Sequence, residues 1–262
     1  MKFDYIDIHC HPNLGALRVE QDQVIADMKE KGIGGVVVGV DLESSKEAVA
    51  LAEKHEHLWA TVGLHPNDTP NEYFDISKYE ELVQRPKVVA LGECGIDYYR
   101  GADDKARQWE NFEKQAAFAR EHDKPLMIHC RPSKNLNDAY LDMFDFLESR
   151  VQQPGSRLRG NMHFFVGNLE IAKKFWSIGF TTSFTGVVTF THDYDEVIRT
   201  APLDMLMIET DAPWAAPAPY RGQTNYPSYV PLVADAIATI RHESPATIRE
   251  VLLANTRRVF SL

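Results

Sequence analysis

Two histidines separated by one residue, His9 and His11, close the short apolar run Ile6-Asp7-Ile8-His9-Cys10-His11-Pro12. In a β-strand the side-chain period is two, so His9 and His11 are expected on one face, with Ile8 and Cys10 on the other. Such a pair can clamp a metal ion, although an isolated His-x-His is equally a surface accident or a tag remnant. What decides between these readings is whether other strands end in matching ligands. His65 follows the run Leu58 to Leu64, Glu93 follows Val88 to Gly92, His129 follows Pro125 to Ile128, His163 lies in Asn161 to Phe165, and Asp211 follows Met205 to Thr210. Five imidazoles and two carboxylates on six strands would be costly to bury together without a partner. Divalent metal supplies that partner. Imidazole with carboxylate and no thiolate suits zinc, manganese, iron or similar ions such as nickel or cobalt. The ligands suffice for two ions, with one carboxylate as a bridge. His55, His57, His122, His192 and His242 fall in helices or loops, where a solvated surface role is the default.

The elements that must position these residues alternate along the chain. After the first strand, Val24, Ile25 and Met28 mark a helix over 19–31 that stops at Gly32. Gly34 to Val40 is an almost unbroken apolar run, as expected of a strand covered on both faces. Helices are predicted over 43–55, 76–84, 104–122, 136–149, 169–178, 194–200 and 229–241. A last one is opened by Ser244-Pro245. A seventh strand runs from Phe180 to Phe184, and the eighth ends at Asp211. Eight strands each followed by a helix is the count for an α/β fold of the (β/α)8 TIM-barrel type, whose usual size is about 250 residues. The alternative, a doubly wound open sheet, needs a Gly-rich phosphate loop after an early strand, and none is present. In a barrel the strand ends that carry the ligands converge on one face.

Composition bounds the answer further. At 262 residues and 44% hydrophobic side chains, with no long linker or repeat, the chain reads as one domain over 1–262. No run of about 18 apolar residues is present to span a bilayer, and Met1-Lys2-Phe3-Asp4 leads straight into a strand instead of a secretion signal. A soluble, cytoplasmic protein with no membrane contact and no obligate protein partner is expected. Cys10, Cys94 and Cys130 show no Cys-x-x-Cys spacing and are expected as reduced thiols. Each directly follows a proposed ligand, so alternation turns it toward the helix layer. With 28 Lys plus Arg against 38 Asp plus Glu, the formal net charge is -10, which disfavours a grip on long duplex phosphates. A nucleic-acid end, a single strand or a short fragment suits this charge better, and bound cations would reverse the field at the site.

The segments that carry these residues resemble the TatD family of metal-dependent hydrolases, within the amidohydrolase-like group of metal-bearing barrels. The resemblance runs nearly end to end: Ile6-Asp7-Ile8-His9-Cys10-His11, Gly63-Leu64-His65-Pro66, Leu91-Gly92-Glu93-Cys94-Gly95-Ile96-Asp97-Tyr98, Ile128-His129-Cys130-Arg131, His163-Phe164-Phe165-Val166-Gly167 and Ile208-Glu209-Thr210-Asp211-Ala212-Pro213-Trp214. It implies that His9, His11 and Asp211 hold one metal, that His129 and His163 hold a second, and that Glu93 bridges them. His65 would contact substrate or an additional metal. It also implies deoxyribonuclease or related phosphodiesterase activity on DNA or nucleotide fragments, with magnesium or manganese supporting turnover and zinc found bound. Arg131 and Arg221 are the implied substrate contacts.

Physically, two cations about 3.5 to 4 Å apart can polarise a phosphoryl oxygen and acidify a water between them. Asp211 is then the expected general base, with Glu93 and His65 beside it at the reacting centre. Asp7, one step deeper than His9, is expected either to orient an imidazole or to serve a buried hydrogen-bonding role unrelated to metal. Trp214, Tyr220, Tyr226, Tyr98 and Tyr99 lie on loops at the same end and could stack bases or pack the loops. The chain departs from the family pattern around the substrate mouth: Pro132 follows Arg131 where an acidic residue is common, Asn225 precedes Tyr226-Pro227 where a glutamate is frequent, and Phe-Phe-Val-Gly follows His163. These departures leave the expected ligands intact and bear on substrate identity. Two other readings stand beside a phosphodiesterase: a hydrolase of small carbon-centred esters or amides such as lactones, and a metal-bound binding protein without turnover.

Overall fold

The apolar runs expected as strands pair side by side in chain order, and every pairing is parallel. The computed structural model describes residues 3–67, 72–101 and 104–262. Met1 and Lys2, read as leading into the first strand, lie outside the described residues. The strands are β1 (Tyr5–Cys10), β2 (Ile33–Val38), β3 (Leu58–Val62), β4 (Val88–Asp97), β5 (Leu126–Arg131), β6 (Gly160–Met162), β7 (Thr181–Phe184) and β8 (Leu206–Ile208). Between and after them come α1 (Gln21–Glu30), α2 (Leu42–Lys54), α3 (Ile76–Val83), α4 (Lys105–Glu121), α5 (Asp138–Val151), α6 (Leu169–Ser177), α7 (Asp195–Thr200), α8 (Val230–Arg241) and α9 (Pro245–Phe260). This is the (β/α)8 barrel. Among the described residues no helix is long and apolar enough to cross a membrane.

Local chemistry explains where helices begin. Asp41 accepts the Ser44 N–H at 2.7 Å, and the Ser44 hydroxyl accepts the Asp41 N–H in return, a reciprocal cap that starts α2. Asn168 caps α6 and Ser244 caps α9, the latter with Pro245 at the first helical position as expected. At the start of α1 the chain first makes a 3-10 turn, Gly15–Glu20, so the helix opens two residues later than predicted.

The seam between β8 and β1 closes beyond the end of β8. Asp211 N–H donates to the His9 carbonyl at 2.9 Å, and His11 N–H donates to that of Ala212 at 2.9 Å. Deeper in the seam the Asp7 carboxylate accepts the N–H of Thr210 at 2.9 Å, its hydroxyl at 2.5 Å, and the N–H of His9 at 3.1 Å. Of the two roles open to Asp7, this is the buried hydrogen-bonding one. It joins two strands.

Strict alternation in β1 does not hold. Asp7 pairs with Gly35 and Cys10 with Val37, so Ile8 and His9 together face the single residue Val36. Ile8 therefore packs inside the barrel with Val36, Ala90, Met127 and Met207 instead of turning out, and His9 and His11 still enter the lumen. A second bulge, between Leu91 and Cys94, lets β4 run on past Glu93 to Asp97. There Gly92 and Gly95 sit at φ of +146° and +145°, and a Cβ on either would meet the backbone of β5. Cys10, Cys94 and Cys130 are free, buried and packed in the layer between sheet and helices. The opposite end of the barrel is plugged by Val259 and Phe260 of α9.

A Cβ at position 95 would lie 1.9 Å from the His129 carbonyl oxygen, whereas one at Gly155, φ +74°, has nothing within 4 Å. Gly95→Ala is expected to cost about 3 kcal/mol or more, and Gly155→Ala about 1 kcal/mol. Urea unfolding of the two variants beside the natural chain checks this order; equal losses would show that the β4–β5 approach does not require glycine.

Candidate active site

All seven strand-end residues singled out from the sequence come together at the C-terminal mouth of the barrel. Glu93, 5% exposed, stands at the centre. Its Oε2 lies 3.3 Å from His9 Nε2 and 3.9 Å from His11 Nε2. Its Oε1 lies 3.0 Å from His129 Nδ1, 3.4 Å from His163 Nε2 and 3.5 Å from His65 Nε2. Asp211 Oδ1 completes the first side, 3.5 Å from His11 Nε2 and 3.7 Å from His9 Nε2. The two carboxylate oxygens thus divide the imidazoles into two groups.

Backbone conformation sets these directions. Asp211 and Phe164, just beyond β8 and β6, adopt left-handed conformations, φ +53° and +45°, which turn the chain at the mouth. Asp tolerates this region through its short polar side chain, but for Phe it is strained. The strain at Phe164 is offset by its N–H, which donates to Glu209 Oε1 at 2.7 Å. Helix α4 pins two more site segments through buried glutamines. Gln115 exchanges hydrogen bonds with the N–H and carbonyl of Leu64, beside His65, and Gln108 does the same for Asp97.

Electrostatics follow from burial. Desolvation pushes the His9 and His65 pKa values down to about 3, leaving neutral imidazoles with lone pairs to offer. Desolvation would raise Glu93, but the surrounding imidazoles His65, His9 and His163 outweigh it and hold the carboxyl well below its usual range. His129 and His163 move the other way. Burial opposes their charging, yet Asp97 and Glu93 raise His129 to about 9, and Glu209 and Glu93 raise His163 to about 10.

The donor set fits divalent cations. Ligand atoms of His9, His11 and Glu93, of His9, His163 and Asp211, and of His65, Glu93 and His129 each lie within 4.8 Å of one another. His9 Nε2 and His11 Nε2 approach to 3.0 Å, a contact that needs a shared proton or a shared cation. His65 stands on the His129 side of Glu93, its ring edge-on to His129 at 4.5 Å.

The two basic candidates stack on aromatic rings of the mouth loops. The Arg131 guanidinium lies 4.2 Å from the Tyr99 ring centre, and that of Arg221 lies 4.4 Å from Phe190. Of the aromatics considered for base stacking, Trp214 and Tyr99 are about half exposed, at 50% and 52%. Tyr98 is buried, its hydroxyl donating to Asp142 and accepting from Trp109. Tyr220 and Tyr226 pack on Tyr229, which binds the loop after β8 together.

Two buried carboxylates at the site carried no role in the sequence reading. Asp97 Oδ2 lies 3.2 Å from His129 Nε2, and Glu209 Oε1 lies 2.8 Å from His163 Nδ1. Both stand two or four residues from a singled-out carboxylate, and that spacing was the available signal: Asp97 follows Glu93 by four and Glu209 precedes Asp211 by two.

Similarity to known proteins accords with this geometry. A family model described as TatD related DNase matches residues 6–261. The uncharacterized metal-dependent hydrolase YabD of Bacillus subtilis is 35% identical over 260 residues, covering 98% of each chain. The 3'-5' ssDNA/RNA exonuclease TatD of Pectobacterium parmentieri is 30% identical over 262 residues, covering 95% of this chain and 97% of the relative. Among solved structures, the TatD homologue YJJV of Escherichia coli superposes with a TM-score of 0.90 at 26% identity, over 100% of both chains.

The Asp97–His129 pair makes a pH prediction for chelator-treated protein. A raised histidine stabilises fully below its unfolded value of 6.5 and loses that contribution as pH rises through about 9. Asp97 is held below its ordinary 3.8 by the His129 contact against the pull of burial, so its contribution is lost only in acid. The stability gap between the natural chain and Asp97→Asn is therefore expected to be widest between about pH 4 and pH 7 and to shrink above about pH 9. Chemical denaturation across that range measures it; a gap that does not change with pH would dismiss the ion pair.

Proposed function

This chain belongs to the TatD related DNase family, and on that premise we propose that it is a metal-dependent phosphodiesterase that hydrolyses DNA ends, single strands or short fragments with two divalent ions. The observation that carries the two-ion reading is the division of Glu93, with Oε2 toward His9 and His11 and Oε1 toward His129 and His163. In this reading His9, His11 and Asp211 hold one ion, His129 and His163 the other, and Glu93 both. Zinc, magnesium and manganese suit the donors, as do nickel, iron and cobalt. When bound, the ions supply Lewis acidity toward a phosphoryl oxygen and toward water.

The side chains supply the rest. Asp211, 13% exposed and facing the mouth, accepts the proton of the attacking water. His65, held neutral by burial, donates or accepts a hydrogen bond at the substrate. Arg131 and Arg221, which have no ion-pair partner among the described residues, contact phosphates. Trp214 and Tyr99, left half exposed at the mouth, offer faces to unpaired bases. The whole chain, 1–262, acts as one catalytic domain in the cytoplasm. The net charge of -10 favours local contact with a strand end over a long duplex footprint, and it is also what favours the competing reading, a lactone or amide hydrolase.

Single-stranded oligonucleotide, a nitrophenyl phosphodiester and a lactone, each with manganese or magnesium and with chelator, separate these activities. Metal-dependent cleavage of the phosphodiesters is expected. A two-metal protein that opens lactones and leaves every phosphodiester intact would overturn the nuclease reading. Glu93→Ala is expected to lose both metals together and to lower turnover at least a hundredfold. Elemental analysis that finds two metals retained in that variant would rule out the bridge.

A further inference from the structure

Each imidazole at the mouth has a second nitrogen, and what that nitrogen meets differs from one histidine to the next. His11 Nδ1 lies 3.1 Å from the Val38 carbonyl. His129 presents Nδ1 to Glu93 and Nε2 to Asp97, whose other oxygen accepts the N–H groups of Tyr99 at 2.9 Å and Arg100 at 2.8 Å. His163 presents Nε2 to Glu93 and Nδ1 to Glu209. Glu209 is itself fully buried. Its Oε1 accepts the Phe164 N–H, and its Oε2 lies 2.8 Å from the Ser183 hydroxyl, which also meets Asn161. Asp97 and Glu209 are therefore anchored by donors that do not belong to the imidazoles they face.

His9 differs in having no carboxylate at its second nitrogen among the described residues, whereas His163 Nδ1, which also makes no hydrogen bond of good geometry, has Glu209 Oε1 at 2.8 Å. Among the described residues the buried Nδ1 of His9 has no hydrogen-bond partner. Its ring instead stacks on that of His163, with centres 3.5 Å apart and planes 13° from parallel. Beyond its Nε2 contacts with Glu93 at 3.3 Å and His11 at 3.0 Å, the rotation of His9 is set by the His163 face.

Resting on the two-metal reading above, we propose that Glu209 is a positioning residue for both metal positions. It orients His163 directly and His9 through the His9–His163 stack, whereas Asp97 positions His129 alone and so serves one position only. A carboxylate behind an imidazole fixes which nitrogen keeps its proton and frees the other for a cation, and removal of such a partner usually weakens metal binding about 10- to 100-fold. The asymmetry between the two carboxylates follows from geometry: among the described residues no histidine stacks face to face on His129, whose ring meets those of His65 and His163 at 73° and 35°.

The test is titration of chelator-treated full-length protein with Co²⁺, followed by calorimetry and by the visible absorption of the bound ion. The natural chain is expected to take two equivalents. Asp97→Asn is expected to bind one equivalent as the natural chain does and the second about 10- to 100-fold more weakly. Glu209→Gln is expected to weaken both steps and to shift the absorption bands of both. Glu209→Asp, which keeps the charge and shortens the reach, should fall between the natural chain and Glu209→Gln at both steps, and it carries the test if the amide variant fails to fold. Weakening of one step alone in the Glu209 variants, or of neither, overturns the proposal while leaving two metals in place. A natural chain that binds a single equivalent overturns the two-metal reading and this assignment with it.

Discussion

A carboxylate buried among imidazoles is the interaction on which the rest of this structure is built. Taken out of water alone, Glu93 would cost several kcal/mol. Surrounded by His9, His11, His65, His129 and His163 at 3.0 to 3.9 Å, its ionised form is held in place. Bringing five rings from four strands to one carboxylate requires backbones to approach more closely than regular pleating allows. The irregularities of the barrel gather there. Gly63 faces Gly92 at a distance where a Cβ would come within 2.7 Å of the opposing backbone. Gly92 and Gly95 bring β4 against β5, and left-handed residues at 164 and 211 turn the chain out of β6 and β8.

Around this centre the fold divides by polarity along the barrel axis. The closed end is apolar, with Phe260 and Val259 of α9 against Ile8, Val36 and Met207. Above β6 to β8 the lumen becomes a polar column in which Asn161, Ser183 and Glu209 are linked and end at His163. On the side of β3 and β4 the same task falls to α4, whose buried glutamines grip Leu64 and Asp97. Rigid support beneath a mobile chemistry is what a hydrolytic site needs, because small errors in ligand direction are expensive in affinity and rate.

Much of the fold was legible along the chain. Buried parallel strands need apolar runs, helices need a periodic apolar face, and eight alternations of the two leave few architectures. The residues that gather at the mouth were legible for a related reason: a whole set of polar residues of metal-binding type at the ends of apolar runs stands out against the apolar pattern around it. What escaped were features in which two strands must be known together. The bulge in β1 sends Ile8 inward against the period of two, because two residues of β1 oppose one of β2, and no local pattern announces it. Asp7, with its two open roles, proved to be a bond across the β1–β8 seam, 203 residues away in sequence.

By itself, then, the sequence determined the strand and helix count, the residue types at the strand ends and the side chains available for metal chemistry. These depend on hydrophobic period and composition, which are local properties. Tertiary structure alone decided that Glu93 divides its oxygens between two sets of imidazoles and that Glu209 and Asp97 stand behind His163 and His129. It also decided that Tyr98 is buried and that Tyr220 and Tyr226 pack on Tyr229, while Trp214 and Tyr99 stay half exposed. Each of these depends on distances between strands and loops far apart in the chain, which barrel closure sets and single-strand periodicity does not contain.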